Sequence, residues 1–158
     1  AEIGTGAGAQ PNGQKAQRRS SAKVRAKPAR DRSAGAAGRV QIEGWDVLYG
    51  RSARQNAQVT FSLASPADLW LHARGVPGAH VVLRTAGQTP PDEVIEAAAA
   101  FAAWLSAARE SPKVEVDVTE VRHVRKRPGG APGLVTYRNE RTLIVRPASV
   151  SEDAWHTS

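Results

Sequence analysis

The order of apolar and polar side chains divides the chain near residue 39, before which almost no large apolar residue occurs. Over residues 40–49, VQIEGWDVLY, apolar side chains recur with short polar interruptions, which predicts two short strands that turn at Glu43 and Gly44. The stretches DLWLHAR (68–74) and AHVVLRT (79–85) alternate in the same way around a Gly/Pro turn. They predict a second pair of strands.

Two segments have the apolar spacing of a helix, with repeats every three or four residues. A short helix is predicted within SARQNAQVTFSLA (52–64), closed by a Ser-Pro pair. The longer segment, PPDEVIEAAAAFAAWLSAARES (90–111), begins with prolines and carboxylates, carries Arg109 in its last turn and has an apolar stripe. It is expected to be an alanine-rich helix that packs closely on a sheet.

Further strands are predicted in the last third of the chain. Residues 114–121 alternate valines with mostly acidic or polar side chains, as in a half-buried strand. Residues 134–138 and 142–145 predict two strands joined by a hairpin-like turn at 139–141. Strands on both sides of one long alanine-rich helix, with a second, shorter helix, predict a single α+β domain with a mixed β-sheet.

The charge distribution marks an N-terminal segment of different character. Residues 1–38 hold eight of the 22 cations but two of the 15 carboxylates, in a chain whose formal net charge is +7. We predict a disordered basic tail or linker there, a domain over 39–150 and a C-terminal tail over 151–158. The cations either bind a polyanion or only solubilise a linker, and both interpretations stay open. The candidate polyanion contacts are Arg18, Arg19, Lys23, Arg25, Lys27 and Arg30.

The composition argues against several classes of protein. The chain has no cysteine, which excludes disulfides, thiolate nucleophiles and zinc–thiolate sites and indicates a reducing compartment such as the cytoplasm. No window is apolar over the roughly 18 residues that a membrane span needs. The patterns G-x-S-x-G, H-E-x-x-H and the Walker loop are absent. We therefore expect a non-enzymatic cytoplasmic protein without a cofactor or membrane contact.

His72 and His80 are the candidates for a metal or proton-transfer pair. They flank the Gly/Pro turn between two predicted strands, so an antiparallel hairpin would bring them close together. A zinc site needs three or four ligands, and the only nearby acid is Asp68 on the same strand. A metal-dependent site remains open at this stage, but the sequence favours a pair of ordinary sheet residues.

Residues 122–133, RHVRKRPGGAPG, are a candidate for phosphate contact. The cations Arg125, Lys126 and Arg127 run into a glycine-rich loop whose backbone N–H groups can approach phosphate oxygens closely. A charged turn between two strands is the alternative interpretation.

Residues 50–56, GRSARQN, are the second cationic candidate. Arg51 and Arg54 flank the start of the predicted short helix, where backbone N–H groups favour an anion. Alternatively Ser52 is a plain N-cap and the arginines are solvated, and this interpretation is favoured.

Four stretches of the sequence resemble, in order and spacing, the R domain of NFACT-family proteins. They are GWDVLYGRSARQN, DLWLHARGVPGAHVVL, the alanine-rich helix ending in SAAR, and VRKRPGGAPGLVTYRNERTLIV, within residues 44–147. The resemblance implies an RNA-binding domain that closes a longer protein of ribosome-associated quality control. It further implies that the longer protein binds large ribosomal subunits obstructed by peptidyl-tRNA, recruits tRNA and supports C-terminal alanine tailing.

The resemblance also implies which residues and partners matter. The expected partners are tRNA and the rRNA of the large ribosomal subunit. A protein-interaction module without direct RNA readout is the first alternative, and a metal-dependent RNA hydrolase that uses the two histidines is the second. The family pattern marks thirteen positions, which are Gly50, Arg51, Asn56, Asp68, Trp70, His72, Pro77, Gly78, His80, Lys126, Gly130, Pro132 and Gly133. The candidate RNA-binding residues are Arg51, Arg54, Asn56, Trp70, His72, Arg74, His80, Arg125, Lys126, Arg127, Gly130 and Gly133.

Trp70 has two possible roles within that set. It shares a strand face with His72 and Arg74, opposite Leu69 and Leu71. An exposed tryptophan there would stack on a nucleobase, whereas a buried one is ordinary core.

Overall fold

The structure, a computed structural model, describes residues 36–150 of the 158-residue chain. The predicted tail contacts from Arg18 to Arg30 and the predicted C-terminal tail at 151–158 lie outside the described residues. Within residues 36–150, two β-sheets and two α-helices form an α+β fold, which confirms the predicted fold class. Neither of these helices combines the length and the apolar composition needed to cross a membrane.

The main sheet contains six strands. The turn predicted at Glu43 and Gly44 joins its first two strands, and both residues have positive φ, 49° and 87°, as in a type I′ hairpin turn. The strands are β1 (Gly38–Ile42), β2 (Trp45–Tyr49), β3 (Leu69–Ala73), β4 (Val81–Leu83), β5 (Val114–Glu120) and β8 (Arg141–Val145). Their order across the sheet is β1-β2-β4-β3-β5-β8. A separate two-stranded sheet consists of β6 (Val124–Lys126) and β7 (Val135–Tyr137).

The two helices lie where the apolar spacing predicts them. The first, α1 (Ala53–Gln58), continues as a π-helix over Val59–Leu63. The hydroxyl oxygen of Ser52 accepts a hydrogen bond from the backbone N–H of Gln55, which confirms the N-cap interpretation. The second helix, α2 (Asp92–Trp104), carries two carboxylates in its first turn, where the helix dipole favours negative charge.

One face of the main sheet packs against α2. Ala98, Ala99 and Ala102 of the helix are fully buried, and their small side chains let the helix lie close to the strands. The rings of Tyr49 and Phe101 meet edge to face with 5.1 Å between their centroids. The alanine-rich composition therefore has a packing role as well as a favourable helix propensity.

The opposite face of the main sheet is also covered. Trp70 of β3 and Val82 of β4 form a second apolar cluster with Val59 of the π-helical segment and Val124 of β6. Trp70 is 0% exposed, so the core interpretation of this residue is correct and direct stacking on a nucleobase is not available to it. The strand β3 is consequently buried from both sides.

The sheet differs in one respect from the mixed sheet that the sequence predicts, because each described strand pair is antiparallel. The helix α2 connects β4 to β5, and these two strands run in the same direction, as in a helical crossover. However, β3 lies between β4 and β5 and runs opposite to both. The two parallel strands of the crossover are therefore not hydrogen-bonded neighbours.

The hairpin predicted over residues 134–145 is not formed. The strand β7 pairs with β6, whereas β8 pairs with β5 at the edge of the main sheet. Asn139, with φ of 59°, turns the chain between them. Turn residues mark where a chain reverses, but they do not determine which sheet each flanking strand joins. The same local reasoning treats β6 as part of a loop.

The helix α2 ends at Trp104, although its apolar spacing predicts a continuation to residue 111. Residues 105–107 leave the helix and pair with the turn at 77–79. Arg109 still interacts with the helix end, because its Nε donates to the carbonyl oxygen of Trp104 at 2.8 Å. The sequence locates this charge correctly but assigns it to a longer helix.

Asp68 connects two loops at the start of β3. Its carboxylate accepts hydrogen bonds from the backbone N–H groups of Ser65 and Thr85, at 2.8 and 2.9 Å. The side chain is buried, and the Nε of Arg84 lies 3.6 Å from its Oδ2. Asp68, one of the positions that the family pattern marks, therefore holds the two loops together.

We expect Asp68→Ala to lower the free energy of unfolding by about 2–4 kcal/mol, since it leaves two backbone donors without their acceptor. Urea unfolding followed by tryptophan fluorescence measures this loss. The matched control is Asp46→Ala, which removes a partly exposed carboxylate 3.5 Å from Arg39 and should cost less than about 1 kcal/mol. Equal losses in the two variants would contradict the assignment.

Candidate functional site

An open cavity of about 910 Å³ lies at the end of the main sheet that carries the turn after β3. Its walls come from segments far apart in sequence: the start of α1, the turn between β3 and β4, the loop before β7 and the chain that follows α2. The structure thus brings together parts of the three stretches that hold the sequence candidates, residues 50–56, 68–83 and 122–133. The candidate residues at its wall are Arg51, Asn56, Trp70, His72, His80 and Gly133.

The turn between β3 and β4 is held by backbone pairing. The backbone N–H of Ala79 donates to the carbonyl oxygen of Leu105 at 3.2 Å, and that of Ala107 donates to Pro77 at 2.8 Å. Between them, Gly78 forms a bridge with Ser106, and a Cβ on this glycine would lie 2.9 Å from the Cβ of Ser106. Glycine at this position is therefore a steric requirement of the cavity wall.

Asn56 links α1 to the same turn. Its Oδ1 accepts from the backbone N–H of His80 at 3.0 Å, and its Nδ2 donates to the carbonyl oxygen of Gly78 at 3.4 Å. Gly50 packs directly against this amide, since a Cβ there would lie 2.2 Å from Asn56 Oδ1. These contacts make Asn56 a residue that shapes the cavity.

The amides at the start of α1 are partly occupied. The side chain of Ser52 takes the N–H of Gln55, and the Oε1 of Gln55 accepts from the N–H of Arg51 at 2.8 Å. The cavity at this wall therefore offers the side chain of Arg51 rather than a set of free helix amides.

Four polar side chains form a row beside the cavity, on the face of the main sheet that carries Trp70. This polar row consists of His80, His72, Asp117 and Thr142. The register pairs His72 with Asp117, and Asp117 with Thr142. The rings of His72 and His80 lie perpendicular, with 5.5 Å between their centroids. The hairpin expectation that brought the two histidines together is confirmed.

Asp117 is 1% exposed, and its charge is compensated locally. Its Oδ2 accepts from the hydroxyl of Tyr137 and its Oδ1 from the hydroxyl of Thr142, both at 2.6 Å. The guanidinium of Arg74 lies 3.8 Å from Oδ1. Arg74, a predicted RNA contact, is therefore engaged with a buried carboxylate although its side chain remains half exposed.

Both histidines of the row are kept neutral by their surroundings. Burial, followed by the neighbouring His72, lowers the pKa of His80 to about 4, while hydrogen bonding to the backbone at Gly133 and Asn56 opposes the fall. Burial also lowers the pKa of His72, against the attraction of Asp117. His80 Nδ1 lies 2.9 Å from the hydroxyl of Thr60.

An aromatic group forms the inner wall of the cavity. The indole of Trp70 stacks on His72, with planes 13° apart, and the ring of Tyr137 lies 4.7 Å from the indole between centroids. Burial and the hydrogen bond to Asp117 raise the pKa of Tyr137 above its usual value, so its hydroxyl stays protonated.

Among the described residues, two arginines lie at the cavity wall and no carboxylate does. The guanidinium of Arg51 is 5.7 Å from the ring centroid of Tyr49, and that of Arg109 is 4.4 Å from the ring centroid of Trp104. Aromatic contact orients both cations while their side chains remain accessible. The cavity therefore favours an anionic group.

The predicted cation cluster Arg125, Lys126 and Arg127 is exposed next to the cavity. The loop that follows is closed by a hydrogen bond from the N–H of Arg127 to Leu134, and its far end brings Gly133 to the cavity wall. Lys126 Nζ lies 5.3 Å from the ring centroid of Phe61. Arg54 and Gly130 are exposed and do not line the cavity.

Residues 36–150 contain no group of three or more histidine, aspartate or glutamate side chains that could hold a metal ion. The pair of His72 and His80 therefore lacks a third ligand there. No observation in this part of the chain favours the hydrolase alternative.

Three residues of the site are not among the sequence candidates. Arg109 reaches the cavity because α2 ends early, and Tyr137 reaches it because β7 folds over the main sheet. Asp117 could have been found from the alternation of β5, which places an acidic residue opposite the strand's apolar face.

We expect the free energy of unfolding to fall by about 2 kcal/mol between pH 7 and pH 5 because of His80 alone. The unfolded state binds a proton below the ordinary histidine pKa of 6.5, whereas the folded state does so only near pH 4. Urea unfolding at the two pH values measures the fall, and His80→Gln should reduce it. A wild-type chain equally stable at both pH values would contradict the low pKa of His80.

Comparison with known proteins identifies the family. The family model described as the NFACT protein RNA binding domain matches residues 39–139. The protein named Rqc2 homolog RqcH from Bacillus subtilis (strain 168) is 42% identical over 104 residues, which cover 66% of this chain and 18% of that protein. The protein of the same name from Streptococcus suis (strain 05ZYH33) is 46% identical over 101 residues, with 64% and 18% covered.

A solved structure has the same fold. The C-terminal part of the fibronectin/fibrinogen-binding protein from Streptococcus suis superposes with a TM-score of 0.65 at 41% identity, over 75% of this chain and 47% of that one. The present chain spans about a fifth of the length of the two RqcH relatives. The matched region includes the cavity wall from Gly50 to Tyr137. The chain therefore belongs to the NFACT RNA-binding domain family.

Proposed function

We propose that this domain binds RNA through the cavity and the adjacent cation cluster Arg125, Lys126 and Arg127. The observation that carries the proposal is the charge of the cavity wall, to which the described residues contribute two arginines and no carboxylate. RNA is a polyanion, and phosphate contacts by arginine and lysine supply much of the affinity of such complexes. The family assignment supports the same function.

The proposal comprises two kinds of contact with RNA. The exposed cations of the cluster have the placement of residues that neutralise phosphates without reading sequence. Arg54 on α1 extends this basic surface, whereas Arg74 is partly committed to Asp117. The second kind of contact is made by the cavity. Its concave, partly aromatic wall can enclose a single group of the RNA rather than a length of its backbone.

At the level of the whole protein, we propose a part in ribosome-associated quality control. The name Rqc2 homolog RqcH belongs to relatives that match this domain and are far longer. By this proposal the partners are tRNA and large-subunit rRNA on subunits obstructed by peptidyl-tRNA, in the cytoplasm. Alanine tailing of stalled chains belongs to the full-length protein.

We propose further that the domain has no catalytic activity of its own. The imidazoles of His72 and His80 contact each other and Trp70. The hydroxyl beside His80 belongs to Thr60, which is 1% exposed and so lies out of reach of a substrate. The carboxylate of Asp117 is buried, and its two oxygens already accept hydrogen bonds from Tyr137 and Thr142. A protein-interaction module is the remaining alternative.

The proposal predicts that replacing Arg125, Lys126 and Arg127 together by glutamine weakens tRNA binding and lowers the salt dependence. Each lost phosphate contact reduces the slope of log K against log salt by about 0.7–0.9, so the slope should fall by about 2–3. Fluorescence anisotropy of labelled tRNA with the full chain, over a salt series, gives both quantities.

The control for this experiment removes the same charge elsewhere. Arg39, Lys113 and Arg146 are exposed and lie outside the cavity wall. Their joint replacement by glutamine should change the slope by less than about 1. Unchanged binding to tRNA and to isolated large subunits in the cluster variant, with loss in Ile144→Ser, which removes an exposed apolar side chain outside the cavity wall, would instead support a protein-interaction module.

A further inference from the structure

We propose that the cavity takes one unpaired nucleotide of the RNA, with its phosphate at the arginines and its base toward the aromatic wall. This inference rests on the proposed RNA binding and specifies what its concave part recognises. A duplex presents its bases stacked and paired inside the helix, so only a loop, a bulge or a single-stranded end can offer a nucleotide to such a cavity.

The charge of the cavity distinguishes it from two other cavities among the described residues. A second cavity, of about 700 Å³, is lined by Glu43, Asp46 and Asp68 with one arginine. A third, of about 450 Å³, is lined by Glu93 and Glu96 with one arginine. Both of these walls carry more negative than positive charge and would repel a phosphate. The cavity beside Arg51 and Arg109 has the opposite sign.

The volume of the cavity is appropriate for a nucleotide. About 910 Å³ lies within the range of sites that enclose a small organic ligand, and the site is open to solvent on one side. Small residues and backbone form much of the wall, because Gly75, Gly78 and Gly133 carry no side chain and Ala107 is short. A planar group can therefore approach the chain closely.

The inner wall offers the contacts that a base uses. The half-buried imidazole of His72 and ring of Tyr137 present π surfaces, and the arginine at position 51 or 109 can pair with the phosphate. Because His72 and His80 are neutral, each ring has both a donor and an acceptor nitrogen. The wall can thus contact a polar base edge without adding charge.

Trp70 supplies a second, independent observation. Its indole Nε1 is the one buried side-chain donor in residues 36–150 that has no hydrogen-bond partner, and the residue belongs to the cavity wall. A buried donor left unpaired destabilises a protein, because the group loses its hydrogen bond to water and gains none in the fold. Because Trp70 is 0% exposed, an oxygen or nitrogen of a base provides the missing acceptor only where the side chains over the indole shift aside.

The test compares two labelled RNA hairpins of identical stem, binding to the full chain. Each is closed by a non-nucleotide linker, so that no loop base is unpaired; one is blunt and the other has a short unpaired 3′ tail. We expect the tailed hairpin to bind about tenfold more tightly, the gain typical of one stacked base with its phosphate. Equal affinities would overturn the inference, while binding of the blunt hairpin would still report the proposed RNA contact by the cation cluster. Absence of binding by both hairpins would overturn the proposed function itself.

Two alanine-to-leucine variants test whether the tighter binding of the tailed hairpin comes from the cavity. Ala107→Leu fills the mouth of the cavity without changing charge, since the side chain of Ala107 is exposed and only its backbone is hydrogen-bonded. It should abolish the tenfold preference for the tail. Ala67→Leu, at an exposed alanine of the second cavity, should keep the preference. A preference that survives in Ala107→Leu would overturn the inference.

Two further arms keep the result unambiguous. Arg51→Gln should also remove the preference, and unfolding midpoints verify that each variant is folded.

A nucleoside 5′-monophosphate tests a free nucleotide as the source of the same chemistry. We expect it to bind far more weakly than the tailed hairpin, and an equal affinity would show a small-molecule site and overturn recognition of RNA by the cavity.

Discussion

A strand buried on both faces must supply two layers with alternate side chains, and β3 does this at the centre of the domain. Leu71 and Ala73 point toward α2, while Trp70 points toward the π-helical segment and the small sheet. A slip of one residue would exchange the two sets, so the packing fixes the register. That register in turn sets His72 opposite Asp117, and the position of the polar row follows from the core.

The electrostatics of the site depend on how the polar row is neutralised. The strand register places Asp117 beside His72 of the inner wall, and two hydroxyls and a guanidinium compensate its charge. The histidines remain neutral because burial lowers their pKa values. The arginines at the cavity wall therefore act without a competing acid from the described residues, and their positive potential extends into the opening.

The sequence was sufficient for elements with strong local signals and insufficient where pairing is nonlocal. The turn at Glu43 and Gly44, the cap at Ser52 and the proximity of His72 to His80 follow from spacing. The early end of α2 and the separation of β7 from β8 arise from contacts between distant segments, which apolar periodicity does not encode. Arg109 and Tyr137 escaped prediction for this reason, and the burial of Trp70 was left undecided because alternation describes two faces without saying what covers each.

The wall formed by residues 77–79 against 105–107 is joined by main-chain hydrogen bonds. The backbone therefore determines the shape of this wall, while a few side chains around it determine its charge and hydrogen-bonding groups. Substitutions at exposed wall positions such as Arg51 or Ala107 would change the charge or shape of the opening with little effect on this framework. Such a division lets selection diversify recognition among descendants while the scaffold stays the same.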